Sequence, residues 1–494
     1  MQHFKTILFL FALLLCFTDC AKDLDDYPVT TTDINDFVWK GMNTFYLYKD
    51  EVPNLSDARF LSETEYQNYL SDYSKPEDLF YSLLYNTDTE DRFSWITDDY
   101  IALEQQFSGE SSTHGMEYGL VRLRSDNTAV FGYVRYVLPG TDAEFKGLKR
   151  GAIFNRVDGE LLYYNSETDT NIGLMSGSSY TIGMASYNNQ GTETKDDDTV
   201  ESRDETINLV KSAYTENPIY DQEILQVNGQ KVGYLMYNGF TGTDAFDSEL
   251  NAVFGTFKNE GISDLILDFR YNPGGSVSTA TWLASMVTGQ FTGDVFVKEQ
   301  WNSDWQSYFE NNSPEDLLNP FVDVMEKRNS SNSVTFSETI NHLNLNKVYV
   351  ITTGSTASAS ELIINGLTPY INVVQVGGVT VGKYQASRTV YDSPTYSKSE
   401  VNPTHTYAMQ PLIFKSLNAD GYTDYFNGLT PDIQISEDYG NLGVLGDVNE
   451  PLLAAALSDI SGTARKTYTS ESTPLEVLSD SKSLQPLPNA MYVD

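Results

Sequence analysis

The segment that most constrains the fold of this chain is an apolar strand joined to a helix by a turn of small residues. Residues 347–367 read KVYVITTGSTASASELIINGL, where Val348–Thr352 have the strand pattern and a helix opens at Glu361. A second apolar strand pattern, LILDF, ends in the glycine-rich turn RYNPGG at residues 270–275. Such strands are typical of sheets covered by helices on both faces. Together with the amphipathic helix pattern of residues 244–260, they predict an α/β layer.

The turn between the strand and the helix contains Ser355, Ser358 and Ser360. Unpaired N–H groups and the helix dipole favour negative charge at this position, so it can stabilise an oxyanion. Lys383 follows in VGGVTVGKYQAS, and a lysine can be the base that a serine nucleophile needs. Taken alone, however, these serines also fit an ordinary helix cap, and Lys383 fits an exposed residue at a strand end.

The overall composition excludes some classes of partner. The chain has 494 residues, and this length predicts about three domains. Its 31 basic and 69 acidic side chains give a formal net charge of -38, which repels nucleic acid and anionic membrane surfaces. We therefore expect no nucleic-acid partner. No acidic loop has calcium-ligand spacing, and we expect no metal or organic cofactor.

The N-terminus predicts export. An apolar run from Thr6 to Phe17 is too short to span a bilayer comfortably and predicts a signal peptide over residues 1–19. Leucine-rich sequence ending at Cys20 resembles a bacterial lipoprotein signal, which implies acylation of Cys20, a tether over residues 20–32 and a lipid anchor in the cell envelope, at the outer membrane on its periplasmic or surface side. Asp19 departs from this pattern, because a small residue normally precedes the cysteine, so a plain cleaved signal stays the alternative.

The remaining sequence divides by pattern. Residues 33–107 have helical periodicity and predict a small helical N-terminal domain. Residues 108–204 alternate short strands with Gly, Pro and Asp turns, residues 205–463 carry the α/β core, and residues 464–494 are polar and predict a tail. Because both cysteines, Cys16 and Cys20, lie in the N-terminal segment, we expect no disulfide in the mature fold.

The strand-rich region carries motifs that resemble a PDZ domain. Pro139–Glu144, Gly147–Gly151 and Val157–Gly159 occur in the order of its short helix, turn and hairpin, although Ala152 replaces the usual aspartate. PDZ domains bind chain termini by adding a peptide strand to an open sheet edge. A domain that only spaces or regulates the core is the alternative. The resemblance implies a peptide-carboxylate loop at Tyr118, Gly119 and Leu120.

The motifs GYLMYNGF, LILDFRYNPGGS, GSTASASE and VGK occur in one order from residue 233 to residue 383. This order resembles the C-terminal processing peptidases, or tail-specific proteases, which are Ser/Lys endopeptidases with an embedded PDZ domain. The resemblance covers roughly Tyr118 to Ile460. It implies a multidomain α+β fold, with an α/β protease core of the ClpP/crotonase type, an inserted PDZ-like β domain and a small helical N-terminal domain.

The resemblance also implies the site residues. Ser358 corresponds to the nucleophile and Lys383 to the general base, and the oxyanion hole takes the amide of Ala359 and that of Gly274 or Gly275. To act near neutral pH, the lysine needs its pKa lowered from 10.4 by roughly 3 units, which burial can supply. The sequence around it contains no nearby acid that would keep it charged.

One position departs from the family pattern. The family commonly has a glutamine four residues after the lysine, where it orients the amine, but here that residue is Ser387 and the glutamine is Gln385. On a strand, both point to the same face as Lys383, so either one can hold the lysine. Ser355 and Ser360 then cap the turn and the helix.

Two other functions remain open from the sequence. A related branch of peptidases uses a Ser/His arrangement, for which His114 is the candidate. The chain could instead be a catalytically inactive, lipid-anchored protein that binds peptides. On the main interpretation, the partners are protein or peptide substrates recognised through free C-termini, and the membrane is reached only through the lipid anchor.

Overall fold

The structure, a computed structural model, describes residues 29–192, 194–462, 474–484 and 491–493. The predicted signal peptide and the predicted lipidation site at Cys20 lie outside these ranges. Within them, no helix is both long and apolar enough to cross a membrane. The N-terminal part is mainly helical, and its elements are α1 (Thr31–Phe45), α2 (Glu63–Ser71), α3 (Pro76–Ser82), β1 (Trp95–Thr97) and α4 (Tyr100–Phe107).

Helix α1 joins the N-terminal part to the rest of the molecule. Thr30 and Asp33 form a capping box at its start, which satisfies amides that the first turn leaves unpaired. Its apolar face, including Phe37 and Met42, packs into the same core as residues near the end of the chain, such as Leu412. The two surfaces approach so closely that a methyl group at Gly41 would lie 2.5 Å from the side chain of Met409.

The next region is rich in strands. Its main sheet has the order β10–β9–β5–β4–β3–β27, in which the last strand comes from the C-terminal end of the chain, and all pairs are antiparallel. The elements are β2 (Glu110–Thr113), β3 (Met116–Arg122), β4 (Val130–Val137), α5 (Asp142–Phe145), β5 (Ile153–Val157), β6 (Glu160–Leu161), β7 (Tyr164–Ser166), β8 (Asp169–Thr170), β9 (Ser179–Asn188), β10 (Thr199–Val210) and β11 (Ser212–Thr215).

The core begins with a strand hairpin and then alternates helices with strands. Its elements are β12 (Ile219–Val227), β13 (Gln230–Tyr237), α6 (Asp244–Glu260), β14 (Asp264–Asp268), β15 (Gly275–Ser276), α7 (Val277–Val287), β16 (Val295–Trp301), α8 (Ser303–Asn312), β17 (Leu318–Pro320), β18 (Val324–Arg328), β19 (Val334–Thr339), β20 (Lys347–Thr352), α9 (Ala359–Leu367), β21 (Asn372–Gly377), β22 (Gln385–Ser387), β23 (Val390–Tyr391), β24 (Ala408–Gln410), β25 (Leu412–Leu417), β26 (Ile433–Gln434) and α10 (Pro451–Ile460).

The core contains two large sheets, and the predicted glycine, serine and lysine motifs lie in their strands or directly beside them. The first has the order β12–β13–β14–β20–β21–β26 and is parallel from β13 onward. Its central strands are buried, as the apolar runs predict: Leu265–Leu267 and Val348–Ile351 have no exposed surface. Because parallel strands end at the same edge, the turns that follow β14 and β20 lie side by side. The second sheet has the order β15–β28–β22–β25–β16–β17.

The C-terminal segment differs from the polar tail that its sequence predicts. Val477–Asp480 form β27 on the edge of β3, and Met491–Tyr492 form β28 between β15 and β22. Short strands of this kind carry little periodicity of their own. Their conformation depends on hydrogen bonds to strands far away in the sequence, which a local pattern does not report.

A buried ion pair fixes the end of β14, just before the glycine turn. The guanidinium of Arg270 has no exposed surface and donates to Asp268 and to both carboxylate oxygens of Glu450, at 2.6 and 2.9 Å. Glu450 also caps α10, because its carboxylate accepts the amide of Leu453 at 2.8 Å. These contacts join the first sheet to α10, and through them Asp268 and Arg270 brace the turn.

We expect Glu450→Ala to lower the free energy of unfolding by about 3–5 kcal/mol, because it leaves the Arg270 charge buried without one of its partners. Glu326→Ala is the matched control, since its pair with Arg328 is partly exposed on both sides and such pairs contribute less than about 1 kcal/mol. Urea denaturation measures both values. Equal losses in the two variants would contradict the bracing role.

Candidate active site

Ser358 occupies the last position of the turn between β20 and α9. Its backbone has φ 65° and ψ -118°, a conformation that non-glycine residues rarely adopt, and it is fully buried. Within the described ranges, its hydroxyl has no hydrogen-bond partner. Of the three serines in the turn, this one therefore combines backbone strain, an uncommitted hydroxyl and a place at a helix N-terminus.

The carboxylate of Glu361 joins the serine turn to the lysine segment. It accepts hydrogen bonds from the amides of Ser358, Gly382 and Lys383 at 2.7, 2.7 and 2.9 Å, and from the hydroxyl of Thr380 at 2.5 Å. Burial raises the pKa of Glu361 to about 7, against the effect of these donors. No role for Glu361 was predicted from the sequence, although a serine followed three residues later by a glutamate is the sequence of a capping box.

Lys383 is buried, with 1% of its surface exposed. Desolvation lowers its pKa to about 7, so the amine loses its proton near neutrality, as the sequence interpretation requires. The sequence on either side of Lys383 contains no acid, but in the folded chain Asp91 and Glu361 both act on Lys383 and favour its charged form. Neither residue is adjacent to the lysine in sequence, and only the fold brings them there.

Residues of the N-terminal part form one wall around the lysine. The amine of Lys383 lies 5.1 Å from the ring centroid of Phe93. The neighbouring Arg92 donates to the carbonyl oxygens of Gly382 and Phe426, both at 3.1 Å, and so fixes this segment over the lysine strand. From its sequence, this segment is only part of the helical N-terminal region, and its place beside the lysine was not predicted.

Both candidates for orienting the lysine lie on β22 and are buried. The side-chain amide of Gln385 donates to the hydroxyl of Tyr48 at 3.0 Å, and its carbonyl oxygen has no partner among the described residues. The hydroxyl of Ser387 donates to the backbone carbonyl of Met491 at 3.0 Å. The side-chain carbonyl oxygen of Gln385 is therefore the candidate acceptor for the Lys383 amine. The Ser387 hydroxyl is already bonded to the C-terminal strand.

The glycine turn lies directly against Ser358. A methyl group at Gly274 would be 2.5 Å from Cβ of Ser358, 2.8 Å from its Oγ and 2.9 Å from the amide nitrogen of Ala359. Gly274 has φ 107° and Gly275 has φ 138°, which favour glycine at both positions. The amide of Gly274 donates to the side chain of Asn272 at 2.9 Å. The turn thus places Gly274 directly against Ser358 and the amide of Ala359, whereas Gly275, the next residue, lies against Phe240.

The other two serines of the turn bond in different directions. Ser360 donates to the carbonyl of Asn272 at 3.2 Å, a structural role as expected. Ser355 accepts from Arg135 at 2.8 Å and donates to Asp480 at 2.9 Å, and it therefore connects the serine turn to β4 and to the C-terminal segment. Its expected role as a cap is replaced by this connection.

Tyr118, Gly119 and Leu120 do not form a loop. They lie inside β3, paired with β4 on one side and with β27 on the other. These residues continue the strand because both β4 and β27 lie close enough to pair with them. The predicted peptide-carboxylate loop is therefore wrong in its conformation, and the edge of β3 in this segment is occupied by Val477–Asp480.

The alternative base, His114, has other partners. One ring nitrogen lies 2.5 Å from the hydroxyl of Tyr180, and the other accepts the amide of Met116 at 3.0 Å. Burial lowers its pKa to about 4, so the ring is neutral at physiological pH. Within the described part of the chain, no hydrogen bond or ring contact joins it to Ser358.

Comparison with known proteins identifies two matching family models. The peptidase S41 N-terminal domain matches residues 33–95, and peptidase family S41 matches residues 231–435. A protein of Staphylococcus epidermidis (strain ATCC 12228 / FDA PCI 1200), described as a CtpA-like serine protease, is 25% identical over 221 residues. That match covers 44% of this chain and only 36% of the relative, little more than a third of its length.

Solved structures share the fold. A crystal structure described as an S41 protease of Bacteroides fragilis NCTC 9343 matches with a TM-score of 0.61 and 24% identity, over 89% of this chain and 99% of that one. The photosystem II D1 C-terminal processing protease matches with a TM-score of 0.50 and 15% identity, over 88% and 99%. These likenesses confirm the predicted multidomain α+β fold class.

We expect the Lys383 amine to titrate with a pKa of about 7: it is protonated below that pH and neutral above it. Asp91→Asn should lower this pKa, because it removes a negative charge that favours the ammonium form. Carbon NMR titration of the lysine side chains measures both values, with Lys383→Arg to assign the signal. Asp88→Asn, at an exposed position of the same segment, is the control. A pKa near that of a free lysine would contradict the role of burial.

Proposed function

This chain belongs to peptidase family S41, and on that premise we propose that it is a serine endopeptidase that uses Ser358 as nucleophile and Lys383 as general base. The observation that carries the proposal is the shared carboxylate of Glu361, which accepts the backbone amides of both residues in one buried site. Burial supports the base, because it favours the neutral amine near physiological pH.

The reaction is an acyl transfer. Neutral Lys383 accepts the hydroxyl proton of Ser358 while Oγ attacks the carbonyl carbon of a peptide bond. The oxyanion is stabilised by the amide of Ala359 and a glycine amide of the turn, at the positive end of α9. The C–N bond then breaks, and the leaving amine takes the proton from the Lys383 ammonium. Water, deprotonated by the same lysine, releases the acyl group and restores Ser358.

Of the two candidate glycines, Gly275 is the better amide donor. The amide of Gly274 donates to Asn272 within the turn, and the role of Gly274 is to let the backbone approach Ser358. Gln385 orients the lysine, because its side-chain oxygen is buried and has no partner in the described part of the chain. This choice keeps Ser387 as a structural residue.

The PDZ-like region presents substrate tails to the site or gates it. The support is its antiparallel sheet, whose strand β3 already pairs with an added strand, β27, from a distant part of the chain, and its connection to the serine turn through Arg135 and Ser355. We further propose that the protein is exported and lipid-anchored through Cys20, on the strength of the apolar run that precedes this residue. Its substrates are proteins or peptides recognised through free C-termini.

Ser358→Ala and Lys383→Ala should each lower kcat/KM for an unfolded protein substrate by about 10⁴-fold or more, because each removes a group that acts in the chemical step. His114→Gln should retain activity within about threefold, since the histidine bonds only within the strand-rich region. Cleavage of reduced, carboxymethylated lactalbumin measures all three. Full activity without Lys383 would overturn the dyad, and loss of activity in the His114 variant alone would favour the Ser/His alternative.

Gly274→Ala should lower kcat/KM by about 100-fold or more, because the added methyl group displaces Ser358 and the turn that holds the oxyanion donors. Gly354→Ala is the matched control in the same turn as the serine. A methyl group there meets no atom within 4 Å, and its φ is not positive. The same cleavage assay applies, with melting temperatures to exclude unfolding. Similar rates for the two variants would contradict the proposed geometry.

A further inference from the structure

The C-terminal segment occupies the edge of the PDZ-like sheet. Val477 pairs with Val121, and Asp480 pairs with Gly119. Beyond the strand, the amide of Ser481 donates to the carbonyl of Tyr118 at 3.0 Å. An added strand of this kind is how peptides bind to open sheet edges, so the chain's own segment takes the place that a peptide ligand requires.

The same segment is fastened to the serine turn. Asp480 accepts from Arg135 at 2.6 Å and from Ser355 at 2.9 Å, and it is mostly buried. Burial acts to raise the pKa of Asp480, but Arg135 and the hydrogen bonds outweigh it and hold the pKa below its usual range. The carboxylate therefore stays charged and joins the PDZ-like sheet, the C-terminal segment and the turn that carries the proposed nucleophile.

The second strand of the segment, β28, lies in the core beside the glycine turn. Met491 is paired with Gly275, and Tyr492 is paired with both Ser276 and Ser387, all in parallel orientation. The slot that β28 fills lies between β15, which begins at Gly275, and β22, which follows Lys383. A substrate backbone must pass the same glycine and the same lysine to be cleaved.

The space beside the glycines is bounded in part by the C-terminal segment. A cavity of about 120 Å³ remains, which compares with engineered cavities that take one benzene-sized molecule. Two of its lining residues, Lys482 and Tyr492, come from the C-terminal segment itself. The residues that line the cavity include Phe107, Phe240, Gly274, Gly275, Lys482 and Tyr492.

We propose that the described residues of the C-terminal segment, 474–484 and 491–493, are an intramolecular occupant of the substrate cleft and hold the peptidase in an autoinhibited state. This inference rests on the proposed function. A substrate enters as an extended, unfolded polypeptide that pairs with the same strands after the segment is displaced.

The occupant also indicates the substrate class. The side chain of Met491 is fully buried in its slot, and the ring of Tyr492 lies 4.2 Å, centroid to centroid, from the ring of Phe107. The slot therefore favours an unfolded segment with an unbranched apolar residue followed by an aromatic one. Half of the other described side chains of the segment are polar, namely Glu476, Ser479, Asp480, Ser481, Lys482 and Ser483.

The test compares full-length variants in the cleavage of reduced, carboxymethylated lactalbumin. Met491→Asp places a charge in the buried slot, and Tyr492→Ala removes the contact with Phe107. Both should cleave at least about tenfold faster than the wild type, and a synthetic peptide of residues 474–494 should reverse the gain when added. Leu484→Asp, an apolar-to-acidic change at a position that is 44% exposed in the same segment, should leave the rate unchanged.

Melting temperatures are measured in parallel. Variants that keep the wild-type melting temperature and cleave no faster overturn the proposal. Loss of the cooperative melting transition in both Met491→Asp and Tyr492→Ala also overturns it, because β28 is then a permanent part of the core.

A binding measurement separates this inference from the proposed function. In a Ser358→Ala background, fluorescein-labelled, carboxymethylated lactalbumin should bind at least about tenfold more tightly when Met491→Asp is added. If no form of the protein cleaves but binding tightens, the peptidase function fails and the occupied cleft stands. If the wild type cleaves and neither the rate nor the binding changes, the function stands and the inference fails.

Discussion

The buried carboxylate of Glu361 is the contact on which the arrangement of the site depends. It accepts the amides of Ser358, Gly382 and Lys383, so one side chain fixes two segments that come together from different turns. A buried carboxylate is costly unless its oxygens are satisfied, and here backbone donors and Thr380 satisfy them. Displacing either segment would remove some of the donors to this buried group, which makes their relative position well defined.

Burial also sets the chemistry that the site can perform. The same desolvation that raises the pKa of Glu361 lowers that of Lys383, and both reach about 7. The N-terminal part contributes to the wall around the lysine, because Phe93 lies beside its amine and the neighbouring Arg92 bonds to the carbonyl of Gly382. The helical part is therefore involved in the proposed reaction as well as in the stability of the fold.

The local patterns of the chain predicted much of the core. The apolar runs identified β14 and β20 as buried strands, and the order of the motifs located Ser358, Lys383 and the glycine turn, which the structure brings together. The resemblance to PDZ domains implied a loop at Tyr118–Leu120, which the structure shows as a strand, and the local pattern did not predict the strand Val477–Asp480. These two segments pair with each other although more than half of the chain separates them in sequence. The local sequence of either segment does not indicate which strand it pairs with.

The sequence by itself determined which side chains are available for chemistry and which segments must be buried, because residue type and hydrophobic period are local properties. Only the tertiary structure decided the environment of those side chains. The charge of Asp91 raises the pKa of Lys383, and the absence of a side chain at Gly274 leaves room for Ser358. The backbone carbonyl of Met491 accepts a hydrogen bond from the hydroxyl of Ser387. Electrostatic shifts, close approach and strand pairing depend on distance in space, and residues far apart in sequence come close only when the chain has folded.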